Sequence, residues 1–147
     1  MALNTVMHWT YQGNEITNMP EDVVGFVYLI TNTTNGRKYI GKKLARFKRS
    51  RPPLKGRKNK RRYKVDSDWQ DYYGSSEEVK TLVEDSGRDR FERRILRLCK
   101  TLGEMSYYEA KIQFETDALL KPDKYYNAFI GCKIHRKHVL KVDNKSK

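Results

Sequence analysis

The chain has little of what an exported or membrane-spanning protein needs. Its 147 residues hold two cysteines, Cys99 and Cys132. A secreted domain of this size normally carries more, paired into bridges, so a reducing compartment is expected. No apolar run approaches the roughly 20 residues that a membrane span requires. The stretch from Met1 to Asn14 is polar and aromatic, without the basic and apolar regions of a signal peptide. These absences point to a soluble, cytoplasmic protein with no membrane partner. Nothing repeats at a fixed period, and the length fits one domain. Acid is scarce too: 18 Asp and Glu stand against 31 Lys and Arg, a net charge of +13. Such an excess speaks to partners rather than to fold, and a polyanion is the natural counterpart.

The charge is concentrated. Between Lys42 and Lys64 lie 13 Lys or Arg and no acid, so the other 124 residues balance to zero. A generically basic protein would spread its charge. This block is either a segment aimed at phosphates or a solvated run of like charge.

Residues 1–24, with Trp9, Tyr11 and the turn-like Gln12-Gly13-Asn14, read as a short strand or N-terminal arm. Val24–Thr31 is β-branched and aromatic and predicts a strand. The cluster from Asn32 to Gly36 predicts a turn, and Arg37–Gly41 a second strand, making a hairpin. Leu44–Arg51 could open a helix that Pro52-Pro53 would stop, and Lys55–Lys64 reads as a basic loop. Asp66–Tyr73 suggests a helical turn or short helix. Ser75-Ser76-Glu77-Glu78 has the S-x-x-E spacing of a capping box, followed by Val79, Leu82 and Val83 on one face and by Gly87 where a helix would end. Phe91–Cys99 is a strand candidate. Thr101-Leu102-Gly103-Glu104 opens a second helix, whose stripe is Met105, Tyr108, Ile112 and Leu119. Tyr125–Ile130 reads as a last short strand, and residues 131–147 as a basic tail. The expected fold is α+β: a three-stranded, mainly antiparallel sheet flanked by helices, with a basic insert (42–64) after the hairpin.

Alternation along the hairpin places Phe26, Tyr28 and Ile30 on one face. A turn centred near Thr34 sets Tyr28 roughly opposite Tyr39 or Ile40, and a register favouring Tyr39 would bring two phenols within roughly 5 Å at their β-carbons. Gly41 ends that face without a side chain. The pair is either aromatic packing or a phosphate-handling surface. Glu109 sits beside the apolar stripe of its helix. An inward carboxylate there either pairs with an arginine or holds a hard divalent cation through oxygen. Cys132, His135 and His138 have a spacing that could gather zinc, although a fourth ligand is missing nearby. There is no Walker loop, dinucleotide fingerprint or Ser/His/Asp signature, so no small-molecule cofactor is expected.

Gly25-Phe26-Val27-Tyr28 and Lys38-Tyr39-Ile40-Gly41 resemble the paired motifs of the GIY-YIG nucleases. The likeness continues through an arginine after the second motif, Glu109 in a later helix, and Asn127 in a Tyr-Tyr-Asn segment, and covers residues 25–130. The long basic block resembles phage-type, homing-endonuclease-like members. The resemblance implies a DNA endonuclease that hydrolyses phosphodiester bonds with one Mg²⁺, or Mn²⁺, held by Glu109. It implies that Tyr28 serves as or orients the general base, that Tyr39 hydrogen-bonds in the same pocket, and that Asn127 braces the site. Its catalytic arginine falls on Arg49, with Arg46 next. Lys42, Lys43, Arg46, Arg61 and Arg62 are the expected DNA contacts. The competing classes are a non-catalytic nucleic-acid-binding module on the same fold and a ribosome-associated RNA binder.

Overall fold

The structure, a computed structural model, describes residues 7–131 and 133–137. Strands are β1 (Thr10–Tyr11), β2 (Asn14–Glu15), β3 (Gly25–Asn32), β4 (Lys38–Leu44), β5 (Arg46–Arg51), β6 (Arg61–Asp66) and β7 (Phe91–Cys99). The helices are α1 (Glu77–Ser86) and α2 (Leu102–Glu115), with single 3-10 turns at Trp69–Asp71, Arg88–Arg90 and Ala118–Leu120. Among the described residues, five strands form one sheet in the order β2-β1-β7-β3-β4, and β5 and β6 form a separate two-stranded ribbon. β1 runs parallel to β7; the other pairings are antiparallel.

The sheet divides two apolar layers. Phe26, Tyr28 and Ile30 of β3 face one side, where they meet Trp9, Trp69, Tyr73 and the α1 residues Val79 and Val83. Val27 of β3 and Ile40 of β4 face the other, with Cys99 and with Met105 of α2. A strand covered on both faces needs apolar residues at consecutive positions, which is how Gly25–Asn32 reads.

The α+β expectation holds, and several details differ. The sheet has five strands rather than three, because the segment set apart as an arm adds β1 and β2 beside β7. Trp9 belongs to the core: it is 1% exposed, and its indole N–H donates to the Trp69 carbonyl at 2.7 Å. The helix expected from Leu44 is absent. That segment is β5, and the basic loop shortens to 52–60 because β6 begins at Arg61. Cross-strand pairs at the ribbon's base account for this: Phe47 lies opposite Val65 and Arg46 opposite Asp66. α1 is capped by Ser76, whose hydroxyl accepts from the Val79 N–H at 3.3 Å, one residue later than the spacing implied. α2 is capped by Thr101 as expected, but it ends at Glu115 and leaves Leu119 outside. Tyr125–Ile130 is not a strand; it makes one parallel bridge, Lys38 to Tyr125.

Two outcomes test this packing. Trp9→Ala is expected to cost about 3–5 kcal/mol of stability, as for other buried aromatic truncations, measured by urea denaturation. An unchanged midpoint would mean that the first segment is an appendage. Burial pushes the Cys99 thiol up to about 12. In a Cys132→Ser background it is therefore expected to resist Ellman's reagent at pH 8 in the native protein and to react fully in guanidinium.

Candidate active site at the edge of the sheet

β4 is the outer strand of the sheet, so its outward N–H and C=O groups need partners from elsewhere. At Lys38 the partners are main chain: its N–H donates to the Lys124 carbonyl at 2.9 Å, and its carbonyl accepts from the Tyr126 N–H at 2.7 Å. At Ile40 a side chain takes over. Asn127 Oδ1 accepts from the Ile40 N–H at 3.0 Å, and Asn127 Nδ2 donates to the Ile40 carbonyl at 2.8 Å. Gln113 of α2 donates to that carbonyl as well, at 3.0 Å. This is why the expected final strand breaks off: the Asn127 amide does the pairing that its backbone would otherwise do. At Lys42 the backbone N–H is turned to the Glu109 carboxylate.

The hairpin register sets Tyr28 opposite Gly41 and Ile30 opposite Tyr39. This is a shift from the expected Tyr28–Tyr39 or Tyr28–Ile40 pairing. A shift of two from Tyr39 preserves the face, so both phenols point to the α1 side, with ring centroids 6.2 Å apart. Each motif glycine permits a close approach. A Cβ on Gly41 would collide with the Tyr28 phenol, and one on Gly25 would collide with the Met105 side chain and the Lys43 carbonyl.

The two phenols are not equivalent. Tyr28 is fully buried, and its hydroxyl donates to the Tyr72 hydroxyl at 3.5 Å. Burial, and then Tyr72, push its pKa well above the ordinary phenol value. Tyr39 is half-buried, with its hydroxyl 2.9 Å from Ser75 Oγ. Burial raises its pKa too, and the Ser75 hydrogen bond opposes that rise. Tyr39, not Tyr28, reaches the cleft.

That cleft has a volume of about 550 Å³ and is lined by Tyr39, Lys42, Ser75, Glu109, Gln113 and Asn127 among others. Glu109 enters it from α2, on the other side of the sheet from Tyr39. Burial raises its carboxyl pKa, and the Lys42 ammonium and backbone N–H pull it back. Lys42 Nζ is 4.0 Å from Glu109 Oε1 and donates to Ser106 Oγ at 2.9 Å. Among the described residues no arginine locks this carboxylate: Arg97 pairs with Glu104 at 3.1 Å. A half-buried carboxylate with, among the described residues, one ammonium 4.0 Å away is under-compensated. Its neighbours Tyr39, Ser75 and Gln113 offer only oxygen among groups that bind cations. This donor set fits a hard divalent cation that keeps most of its waters. Among the described residues no three His, Cys, Asp or Glu side chains gather. Cys132 and His138 of the considered zinc spacing lie outside the described residues.

The remaining expected site residues fall elsewhere. Arg49 is on β5, its guanidinium 5.1 Å from the Phe47 ring, and it lines a different groove. It is carried away because Leu44–Arg51 extends as a strand rather than winding into a helix. Arg46 donates to the carbonyls of Met19, Pro20 and Val23 at 2.7–2.8 Å, so its guanidinium clamps the fold. Lys43 pairs with Asp68 at 2.6 Å, which lowers that carboxyl's pKa, and lies over the Tyr72 ring. Arg61 and Arg62 are exposed near the ribbon tip. Sequence reading missed Ser75 and Gln113. Gln113 stands four residues after Glu109, a helical spacing that puts both on one face. The S-x-x-E spacing gives Ser75 to the helix cap, which Ser76 provides.

A family model described as "Putative endonuclease segE, GIY-YIG domain" matches residues 9–130. The chain belongs to the phage-type GIY-YIG nuclease family. It is 32% identical over 102 residues to "Putative endonuclease segE" of Enterobacteria phage T4, a match covering 69% of this chain and 39% of that protein. The chain thus spans well under half of that relative's length. No solved structure matches it significantly. Among the described residues no helix is long and apolar enough to cross a membrane.

The close approach at Gly41 is testable by a double-mutant cycle. Gly41→Ala is expected to destabilise the protein, and much less so in a Tyr28→Leu background, with a coupling of about 1–3 kcal/mol. Additive effects in urea denaturation would mean that the Tyr28 ring does not need the space.

Proposed function

We propose that the chain is a divalent-cation-dependent endonuclease that hydrolyses DNA phosphodiester bonds. The observation that carries this reading is the convergence of Tyr39 and Glu109, from opposite sides of the sheet, on one cleft beside Lys42. Glu109 would hold one Mg²⁺ or Mn²⁺. When bound, the cation supplies charge neutralisation at the phosphoryl oxygen and at the leaving 3′ oxygen. Lys42 adds a fixed positive charge at the same place, where developing negative charge is best stabilised by groups already in position.

Tyr39 takes the general-base role that the family resemblance gives to Tyr28, its phenolate form accepting the proton of the attacking water. It is the phenol at the cleft, and Ser75 is placed to hold its hydroxyl in one orientation. Tyr28, buried behind Gly41, positions Tyr39 through packing. Asn127 spends its amide on Ile40 and so acts as a brace, not as a group that touches substrate. The likeness to a phage T4 protein supports a phage or mobile-element setting, where a homing enzyme cuts a chosen site.

The test is nicking of supercoiled plasmid with Mg²⁺. Removing several kcal/mol of charge stabilisation, at 1.36 kcal/mol per tenfold, gives an expected loss on the order of 10³ for Glu109→Ala, with DNA binding retained. Equal cutting by wild type and variant would contradict the site. Binding without cleavage under any divalent cation would establish the non-catalytic module instead. With Tyr39 raised above the ordinary phenol value, the rate is expected to climb between pH 7 and 9 without a plateau. Tyr39→Phe should lower it by about 10²–10⁴; an unchanged rate and profile in that variant would remove Tyr39 from the chemistry.

A further inference from the structure

We infer that the β5–β6 ribbon enters the major groove of duplex DNA and reads it while the cleft holds the phosphate to be cut. This rests on DNA being the substrate. The ribbon carries cations on both faces. Pairing sets Phe47, Arg49 and Arg51 opposite Val65, Tyr63 and Arg61 on one face, and Lys48 and Ser50 opposite Lys64 and Arg62 on the other. Beyond its base the ribbon is exposed on both sides apart from Tyr63 and Val65. Lys48 lies directly opposite Lys64, and Arg51 directly opposite Arg61. Like charges in direct cross-strand register destabilise a sheet. The one acid in these strands, Asp66, is at the base beside Arg46, at 3.6 Å. The arrangement is therefore one that an external polyanion stabilises.

Its shape selects the groove. The major groove of B-form DNA is about 12 Å wide and admits a two-stranded β-ribbon, whose strands lie about 4.8 Å apart. Phosphates wall that groove on both sides, matching cations on both faces. A ribbon resting on the outside of one backbone would leave one face unmatched. Six strand residues extend about 20 Å at roughly 3.4 Å each, enough to bring Ser50, Arg51, Arg61 and Arg62 to base edges in a groove about 8.5 Å deep. The major groove of A-form RNA is too narrow for such entry.

The ribbon is held to aim. Arg46 clamps its base to the 19–23 segment, Ala45 N–H donates to the Val24 carbonyl at 2.9 Å, and Ser67 Oγ donates to the Leu44 carbonyl at 2.6 Å. Arg51 stacks on Tyr63 at 4.4 Å. A continuous path joins it to the cleft: Lys42 lines both the cleft and an adjoining groove, which shares Phe47 with a third groove reaching Arg49 and Lys64.

The experiment uses Glu109→Gln protein, to read binding without cleavage, on a mixed-sequence 30-base-pair DNA duplex and on duplex RNA of the same sequence. Anisotropy is followed from 50 to 200 mM salt. Lys48→Gln/Lys64→Gln is expected to reduce the log-log salt slope by about two and Arg49→Gln/Arg51→Gln by about one, because Arg51 meets base edges, at roughly 0.9 per phosphate contact, with circular dichroism unchanged. Dimethyl sulfate should find guanine N7, in the major groove, protected at saturation, and adenine N3, in the minor groove, open. DNA should be bound more tightly than RNA. A slope changed by only one pair, guanine N7 left reactive, or equal RNA affinity would overturn the inference. Plasmid nicking by the wild type separates the two readings: nicking with N7 reactive sinks the groove and spares the nuclease, and protection without nicking does the reverse.

Discussion

The pairing of β4's outer edge organises this molecule. An edge strand exposes a row of backbone donors and acceptors that must be satisfied. Of its outward residues, Lys38 is met by main chain and Ile40 by the Asn127 amide, and beyond them the Lys42 N–H is turned toward the Glu109 carboxylate. The switch from backbone to side chain ends the sheet and opens a cleft where a sixth strand would lie. The groups that close the edge are therefore also the groups that build the site. Glu109 and Gln113, four residues apart on α2, reach the same edge, which fixes how the helix lies on the sheet.

The glycines of the two hairpin motifs serve this geometry on opposite faces. Gly25 lets Met105 of α2 come close beneath β3, and Gly41 lets the Tyr28 phenol lie across β4 above it. Tyr28 thereby fills the space behind Tyr39 and leaves the second phenol at the cleft. Burial also sets the electrostatics. Both phenols stay protonated near neutral pH, and the Glu109 carboxyl is raised by desolvation that Lys42 only partly offsets. A site with one under-compensated acid and neutral hydroxyls favours an incoming cation.

Elements with an apolar pattern were legible in the sequence. The run in β3, the alternation in β7, and the Thr101 cap of α2 with Met105, Tyr108 and Ile112 behind it each name their structure. The register was not, because a shift of two residues leaves every side chain on its face and so leaves the hydrophobic pattern unchanged. The ribbon was illegible for a different reason: in a block of Lys and Arg neither helical nor strand periodicity has apolar residues to mark it, and the deciding pairs, Phe47 with Val65 and Arg46 with Asp66, lie far apart in the chain. With Leu44–Arg51 extended in this way, Arg49 lies on the ribbon and outside the cleft. Of the candidate site, Tyr39, Lys42, Glu109 and Asn127 line one cleft, and Tyr28 stands behind them.

The central claim is that Glu109 gives the cleft one divalent cation. Mn²⁺ titrated into the protein bound to a DNA duplex, and followed by electron paramagnetic resonance, measures this directly. The account predicts one more tightly bound Mn²⁺ per chain in the wild type than in Glu109→Gln. Equal stoichiometry and affinity in the two proteins would contradict it.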